Sequence, residues 1–467
     1  MRVEIELIGL CYLASHGQAL VFRHRRIRPR PLQVFAGASS STIAKQEQPV
    51  YDSFLVNHVQ LKNFQARSWD SKEVEQALAK AGAVPLAHLP SKQDIVKAIP
   101  PHCFEKNTLR SLKYAFASLI ATLALGSLGA QISPVLLRCF PRAIASFALP
   151  FFWVFYAVVT GTVSTGLWVV AHECGHNAFS DNKRLQTAVG YLLHSCLLVP
   201  YFSWQRTHSI HHLNTNHMTE GETHVPVVAG SREADDAAAM QQHLGRNGFA
   251  ILALLGHLLV GWPAYILQGV TGGFKYGRTS HFWPFGHGGA KGGAFGDEGK
   301  ELFGSSFLQR RVLLSDLGIA AAIGGLCLWA KLAGAKTVAL LYGGPLLVTN
   351  AWLVLYTWLQ HTSPAVAHFD GNDHNFVRGA FQTIDRPYGR ILNMLHHGIG
   401  STHVAHHLVS NIPHYHAWEA TRSIRKQFPA LYRYDPTPIH RALWQVSRDC
   451  VFVEKIPGGG GEYIWAS

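Results

Sequence analysis

Charged residues make up only 15% of this 467-residue chain, against 48% hydrophobic. That is too little charge for an ordinary soluble enzyme of this length. Cysteine is sparse too: seven scattered residues, an odd total with no CxxC pair, exclude a legible disulfide framework. A reducing cytosolic face is adequate for such a chain. Glu4 and Glu6 precede the first apolar stretch and no basic segment with a small-residue cleavage site is clear, so no secretory signal is read. The glycine-rich stretch Pro284 to Glu301 has no strand before it and no GKS or GKT after it. It is read as a flexible loop, not a phosphate cradle. No internal repeat is visible.

What the chain has is long uncharged runs. Tyr114 to Leu137, Ala143 to Ala171, Asn247 to Phe274 and Thr337 to Gln360 are each long enough for a span of about 20 residues. Val312 to Ala330 is weaker because Asp316 interrupts it. Formal charge is +13, with a pI near 9.4. In so apolar a chain this suits anionic lipid headgroups or an acidic partner protein, and argues against nucleic acid. The basic stretch His24 to Pro31 lies in a polar amino-terminal region and reads as targeting or tail.

The second abundance is histidine, 28 residues. Three clusters stand out: His172 to His176 (HECGH), His208 to His212 (HSIHH) and His403 to His407 (HVAHH). Residues four apart share a helix face, so HxxxH and HxxHH each aim two or three imidazoles at one point. His172, His176, His208, His211, His212, His403, His406 and His407 are thus candidate metal ligands. Neutral imidazole suits iron, copper, zinc and nickel, so ligand type leaves the metal open. A structural zinc site needs four ligands and a catalytic one about three, so eight or more histidines imply two ions. His361 ends the last apolar run and would emerge at the same membrane face; it is a ninth candidate, and His397 a weaker one, beyond the ligands themselves.

If one centre uses all three clusters, they must lie on one side of the bilayer. Leu185 to Gln205, uncharged but placed between the first two clusters, then cannot make a single crossing and reads as interfacial or re-entrant. The same parity requires an even number of crossings between His212 and His403. The short joint Lys331 to Lys336 makes its flanking runs a hairpin and leaves Asn247 to Phe274 in the interface. The expected fold is an all-α integral membrane protein with four transmembrane helices, interfacial helices and a cytosolic cap housing a di-metal histidine site. Arg110, Lys113, Lys183, Arg184, Arg206, Lys275, Arg278, Arg310 and Arg311 fall on the cytosolic side of that topology, Arg138 and Arg142 on the other. Expected divisions are residues 1–96, an amino-terminal extension; 97–435, the membrane domain; and 436–467, a carboxy-terminal tail. Two redox-active metals held by histidine at the edge of an apolar domain suit oxygen activation against an unactivated hydrocarbon.

The residues resemble the membrane fatty acid desaturases, and among them the acyl-lipid oleate desaturases. The carrying segments are Lys97 to Asn107 (KAIPPHCFEKN), Ala171 to Asp181, Leu192 to His212, Gly221 to Pro226 (GETHVP) and Gly400 to Thr421. The resemblance implies a four-span helical fold, a non-haem di-iron centre, O2 as co-substrate, and electrons from cytochrome b5 or ferredoxin. Its ligand pattern falls on the eight cluster histidines and on His361. Asn177 departs from it, standing where relatives commonly carry histidine or glycine; so do the glycine-rich loop and the amino-terminal extension. No HPGG haem stretch occurs, so the implied donor is a separate protein. Glu173 goes with delta-12 insertion into oleate, giving linoleate, more often than with omega-3 chemistry. An omega-3 desaturase and a fatty acyl hydroxylase remain alternatives on this scaffold. A divalent metal transporter is the alternative of another class, although its ligands would lie near the midplane on broken helices. The endoplasmic reticulum membrane is the expected location, with a plastid envelope as the alternative if the basic amino-terminal stretch is a transit peptide. His194 and His257 are expected to be satisfied by neighbours, Cys174 to serve close helix packing, and His414, His416, Trp204 and Phe151 to Tyr156 to belong to packing or the interface belt.

Overall fold

The computed structural model describes residues 86–272, 275–276, 279–285, 302–457 and 460–466, together with Lys72 and Gln76. His24 to Pro31 and all of the glycine-rich loop beyond Phe285 lie outside the described residues, as does most of the amino-terminal extension. Helix α1 (Lys92–Ala98) opens on a capping box in which Ser91 and Asp94 bond each other's backbone N–H. A turn at Pro101–Phe104 follows. Then come α2 (Thr108–Cys139), α3 (Arg142–Gly175), α4 (Lys183–Cys196), α5 (Tyr201–Leu213), α6 (Arg232–Gln268), α7 (Ser306–Ala333) and α8 (Ala335–His361), the last with a π turn at Ala339–Gly343. Beyond them, α9 (Phe376–Ala380), α10 (Gly389–Leu395), α11 (His403–Leu408), α12 (His414–Gln427) and α13 (Ile439–Asp449) are short.

Among the described residues, five helices are long and apolar enough to cross a membrane: α2, α3, α6, α7 and α8. The expected weak run around Asp316 is thus a full helix. Gly334, at φ +89°, makes the joint between α7 and α8, a conformation that costs glycine little and other residues more. Helix α6 starts well before Asn247, because Ser231 caps it by accepting from the Ala234 N–H, and it breaks at Gly245, where φ is +71°. The run between the first two histidine clusters is the bent pair α4 and α5, turned through 104°.

Helix α3 packs between α2 and α8. A Cβ added at Gly161 would come within 2.5 Å of the Pro345 carbonyl and of Val348 Cβ, so the absent side chain lets α3 and α8 touch. Ser164 and Thr349 hydroxyls meet at 2.7 Å, and the Trp352 indole donates to Thr162 Oγ1 at 2.8 Å. Small residues and interhelical hydrogen bonds of this kind replace the hydrophobic drive that lipid removes. Gly161→Val is expected to lower the thermal midpoint of the purified protein in detergent, the overpacking costing about 1–3 kcal/mol; an unchanged midpoint would show that the two helices are free to separate. Away from the packed seam, Phe147, Phe151 and Phe155 are well exposed, as suits a face turned to lipid. Tyr156 turns inward and donates to the Leu341 carbonyl.

Strands β1 (His368–Phe369), β2 (Val453–Lys455) and β3 (Glu462–Trp465) form a small antiparallel sheet in the order β1, β3, β2. The last residues are therefore paired to the body of the protein, with α13 packed on α6 and α8. Strands this short carry no alternation that a sequence reading could detect.

Candidate metal centre

The C-terminal end of α3 brings His172 and His176, α5 brings His208, His211 and His212, the end of α8 brings His361, and α11 brings His403, His406 and His407. All nine expected ligands converge, around two points. His172, His176, His208, His212 and His406 place ligand nitrogens within 4.8 Å of one another, and His211, His361 and His407 do the same beside them. His403 joins the second group, its Nε2 lying 3.0 Å from His361 Nε2. The rotation of α5 and α11 about their axes makes the division. His208 and His212 face the first point and His211, between them, the second; His403 and His407 face the second and His406 the first. The expectation that each cluster aims at a single point is thus corrected for the second and third clusters. His212 and His407, stacked at 4.0 Å between centroids, form the wall between the two groups.

The spacing fits metal ions. Nitrogens about 2.1 Å from a shared ion and roughly 90–110° apart lie about 3.0–3.4 Å from each other. His172 and His208 Nε2 are 3.0 Å apart, His208 and His212 Nε2 3.2 Å, and His211 and His361 Nε2 3.2 Å. His176, His406 and His407 Nε2 are buried without a hydrogen-bond partner, a cost that ligation would remove. Burial, with the neighbouring imidazoles adding, holds His403, His406 and His407 well below the usual histidine range. Ligation needs that neutral form.

Surrounding groups fix the rings. The Thr215 hydroxyl donates to the His211 carbonyl at 2.8 Å, so toward His407 Nδ1, 3.0 Å away, it can only accept. That places the proton of His407 on Nδ1 and the lone pair on Nε2. Asp385 accepts from the Val404 N–H at 2.9 Å and from the Tyr432 hydroxyl at 2.7 Å, which anchors the first turn of α11. Trp204 stacks on His208 at 4.7 Å; its role is packing, as expected. Glu173 is in neither group of donors but borders the first: its Oε1 lies 3.6 Å from Nδ1 of His172, and its Oε2 accepts from the N–H of His414 at the start of α12.

Other expectations divide. Cys174 is buried where Gly190 leaves room for it, and it enters no candidate metal group. His257 bonds the Ala253 carbonyl and stacks on Trp358. His194 differs from expectation: both its ring nitrogens lack a hydrogen-bond partner, and the ring is held by aromatic contacts with Trp168, Tyr201 and Trp204. His397 lies outside the nine, bonded to Ser118 Oγ at 3.2 Å. Asn177 sits at φ +58°, which explains why asparagine serves where glycine also would. Sequence reasoning missed His224, whose ring stacks over His361 at 5.3 Å. Its one signal was membership of the GETHVP segment.

Beside the histidines opens a cavity of about 180 Å³, lined among others by His208, His211, His224, Trp168, Trp262, Leu353 and Trp465. The two histidine groups sit where helices end, beside this largely apolar space, and form no file along a helix axis as an ion path would.

Converging imidazoles at the ends of long apolar helices define a membrane protein with a di-metal-sized histidine centre. A model of the fatty acid desaturase family matches residues 149–438, and the chain belongs to that family. It is an oxidoreductase. Its similarity extends to named relatives: it is 40% identical over 362 residues to the Delta(12) fatty acid desaturase of Calendula officinalis, covering 78% of this chain and 87% of that one. It is 38% identical over 389 residues to the omega-6 fatty acid desaturase, endoplasmic reticulum isozyme 2, of Glycine max, covering 82% and 94%. To the oleoyl-12-hydroxylase of Ricinus communis it is 37% identical over 366 residues, covering 78% and 87%.

Proposed function

We propose that the chain inserts a cis delta-12 double bond into oleoyl groups of membrane lipid, giving linoleate, with two iron ions, O2 and an external electron donor. The observation that carries this is the two-point histidine centre opening on an apolar cavity, in a chain whose relatives bear delta-12 names. His172, His176, His208, His212 and His406 would hold one iron, and His211, His361, His403 and His407 the other. The pair, when bound, would supply the oxidant that removes hydrogen from an unactivated methylene. The chain's own residues do the rest: Trp168, Trp262 and Leu353 exclude water from the acyl chain, and Thr215 holds the His407 ring in its ligating tautomer.

The topology proposed has α2, α3, α7 and α8 as crossings. His211 on α5 and His361 at the end of α8 touch, so an even number of crossings separates them. With α7 and α8 both crossing, α6 lies along the interface, and its break at Gly245 suits that placement. Both termini and the histidine centre are then cytosolic, in the endoplasmic reticulum membrane, facing cytochrome b5. The domain bounds proposed remain residues 1–96, 97–435 and 436–467, with the last contributing Ser447 of α13, Cys450, Val451 and Trp465 of β3 to the wall of the cavity.

The test is the fatty acid profile of yeast expressing the intact chain beside a His403→Ala control. Linoleate from the intact chain alone is expected; a hydroxy acid in its place would favour the hydroxylase reading, which the similarity to the Ricinus communis enzyme keeps in view. No new product at good expression would overturn both.

A further inference from the structure

A second group of metal-type donors lies away from the nine histidines. The turn at Pro101–Phe104 presents His102 and Cys103, and the first turns of α12 present His416 and Glu419. One donor atom from each lies within 4.8 Å of every other. The desaturase reading uses none of them, although they fall in two of the segments that carry the family resemblance.

We propose that His102, Cys103, His416 and Glu419 bind a divalent zinc ion that fastens the segment before α2 to α12. Two nitrogens, a sulfur and a carboxylate oxygen make a four-donor set of the kind zinc takes tetrahedrally. A ligand sulfur about 2.3 Å and a nitrogen about 2.1 Å from one tetrahedral zinc lie about 3.6 Å apart; Cys103 Sγ and His102 Nε2 are 3.8 Å apart. His102 Nε2 and Glu419 Oε2 already meet at 2.9 Å, and a bound ion would replace that contact. The His102 and Glu419 side chains are 51% and 40% exposed, whereas Cys103 is fully buried. The thiol thus forms the floor of a site that solvent ions can enter.

Both pairs are held on rigid local structure. Cys103 N–H bonds the Pro100 carbonyl and His416 N–H the Pro413 carbonyl, so proline fixes the backbone entering each turn. Burial and the nearby arginine Arg110 hold His416 below the usual histidine range, which favours the neutral form that ligates. Burial and Glu419 raise the Cys103 thiol to about 11, while Arg422 favours the thiolate. Zinc binding would displace the thiol proton to solvent, forming the zinc–sulfur bond without any redox change.

Cobalt(II) is the probe, because a thiolate ligand gives a cobalt charge-transfer band in the near ultraviolet and the nine-histidine centre contains no cysteine. The full-length protein in detergent is titrated with cobalt(II), then with zinc(II), beside Cys103→Ser and His416→Gln. Expected is a thiolate band saturating at one equivalent in the wild type, abolished by zinc, and absent from Cys103→Ser while that variant keeps its iron content and its linoleate output. No thiolate band in the wild type, or a band unchanged by Cys103→Ser, would overturn the proposal. The readout stands whether or not the protein makes linoleate, so it can fail or succeed independently of the desaturase assignment.

Discussion

Replacing His361 by alanine is expected to abolish linoleate formation and to lower bound iron from two ions per chain toward one. His361 is the hub of the second group, its Nε2 lying 3.2 Å from His211 and 3.0 Å from His403. Without it, three imidazoles remain around a point that the structure surrounds with four. The first group shares no nitrogen with His361 and is expected to keep its metal. Iron analysis on monodisperse protein checks this; an iron content of two with full activity would remove His361 from the ligand set. The change also leaves a buried gap beneath His224, so a normal elution volume is needed to separate loss of metal from loss of fold.

The next largest effect is expected from Thr215→Val. The hydroxyl accepts from His407 Nδ1–H and donates to the α5 carbonyl of His211. Valine keeps the shape and leaves both partners buried and unpaired, and it frees His407 to take the tautomer that turns a proton toward the metal. Loss of such an outer partner costs about 10–100-fold in metal affinity. Iron release under chelator challenge reads that change, with Thr215→Ser expected to restore retention. A valine variant that holds iron as firmly as the wild type would show that packing alone sets the ring.

The centre was legible in the sequence to the extent that helical spacing carries it. HxxxH and HxxHH place imidazoles on one face, and His361 could be found because it ends an apolar run. The division into two groups was not legible, because it depends on how α5 and α11 are rotated about their axes against α3 and α8. His224 lay hidden for a related reason: it stands alone at φ +58° in an irregular segment, and only tertiary packing brings it over His361. The long apolar helices were legible from composition. The early start of α6 was not, since it rests on the Ser231 cap and on polar residues that carry no hydropathy signal. The closing sheet has strands of two to four residues, below the length at which a period can be read.

Each half of the centre draws on histidines from distant parts of the chain: His406 completes a group begun by His172, and His407 one begun by His211. During synthesis neither group exists until the third cluster has left the ribosome and docked. The growing protein therefore carries His172, His176, His208, His211 and His212 through membrane insertion with both groups incomplete. On the proposed di-iron reading, iron delivery is then a late step of biogenesis. A chain terminated before His403 would lack His406 from the first group and His403 and His407 from the second.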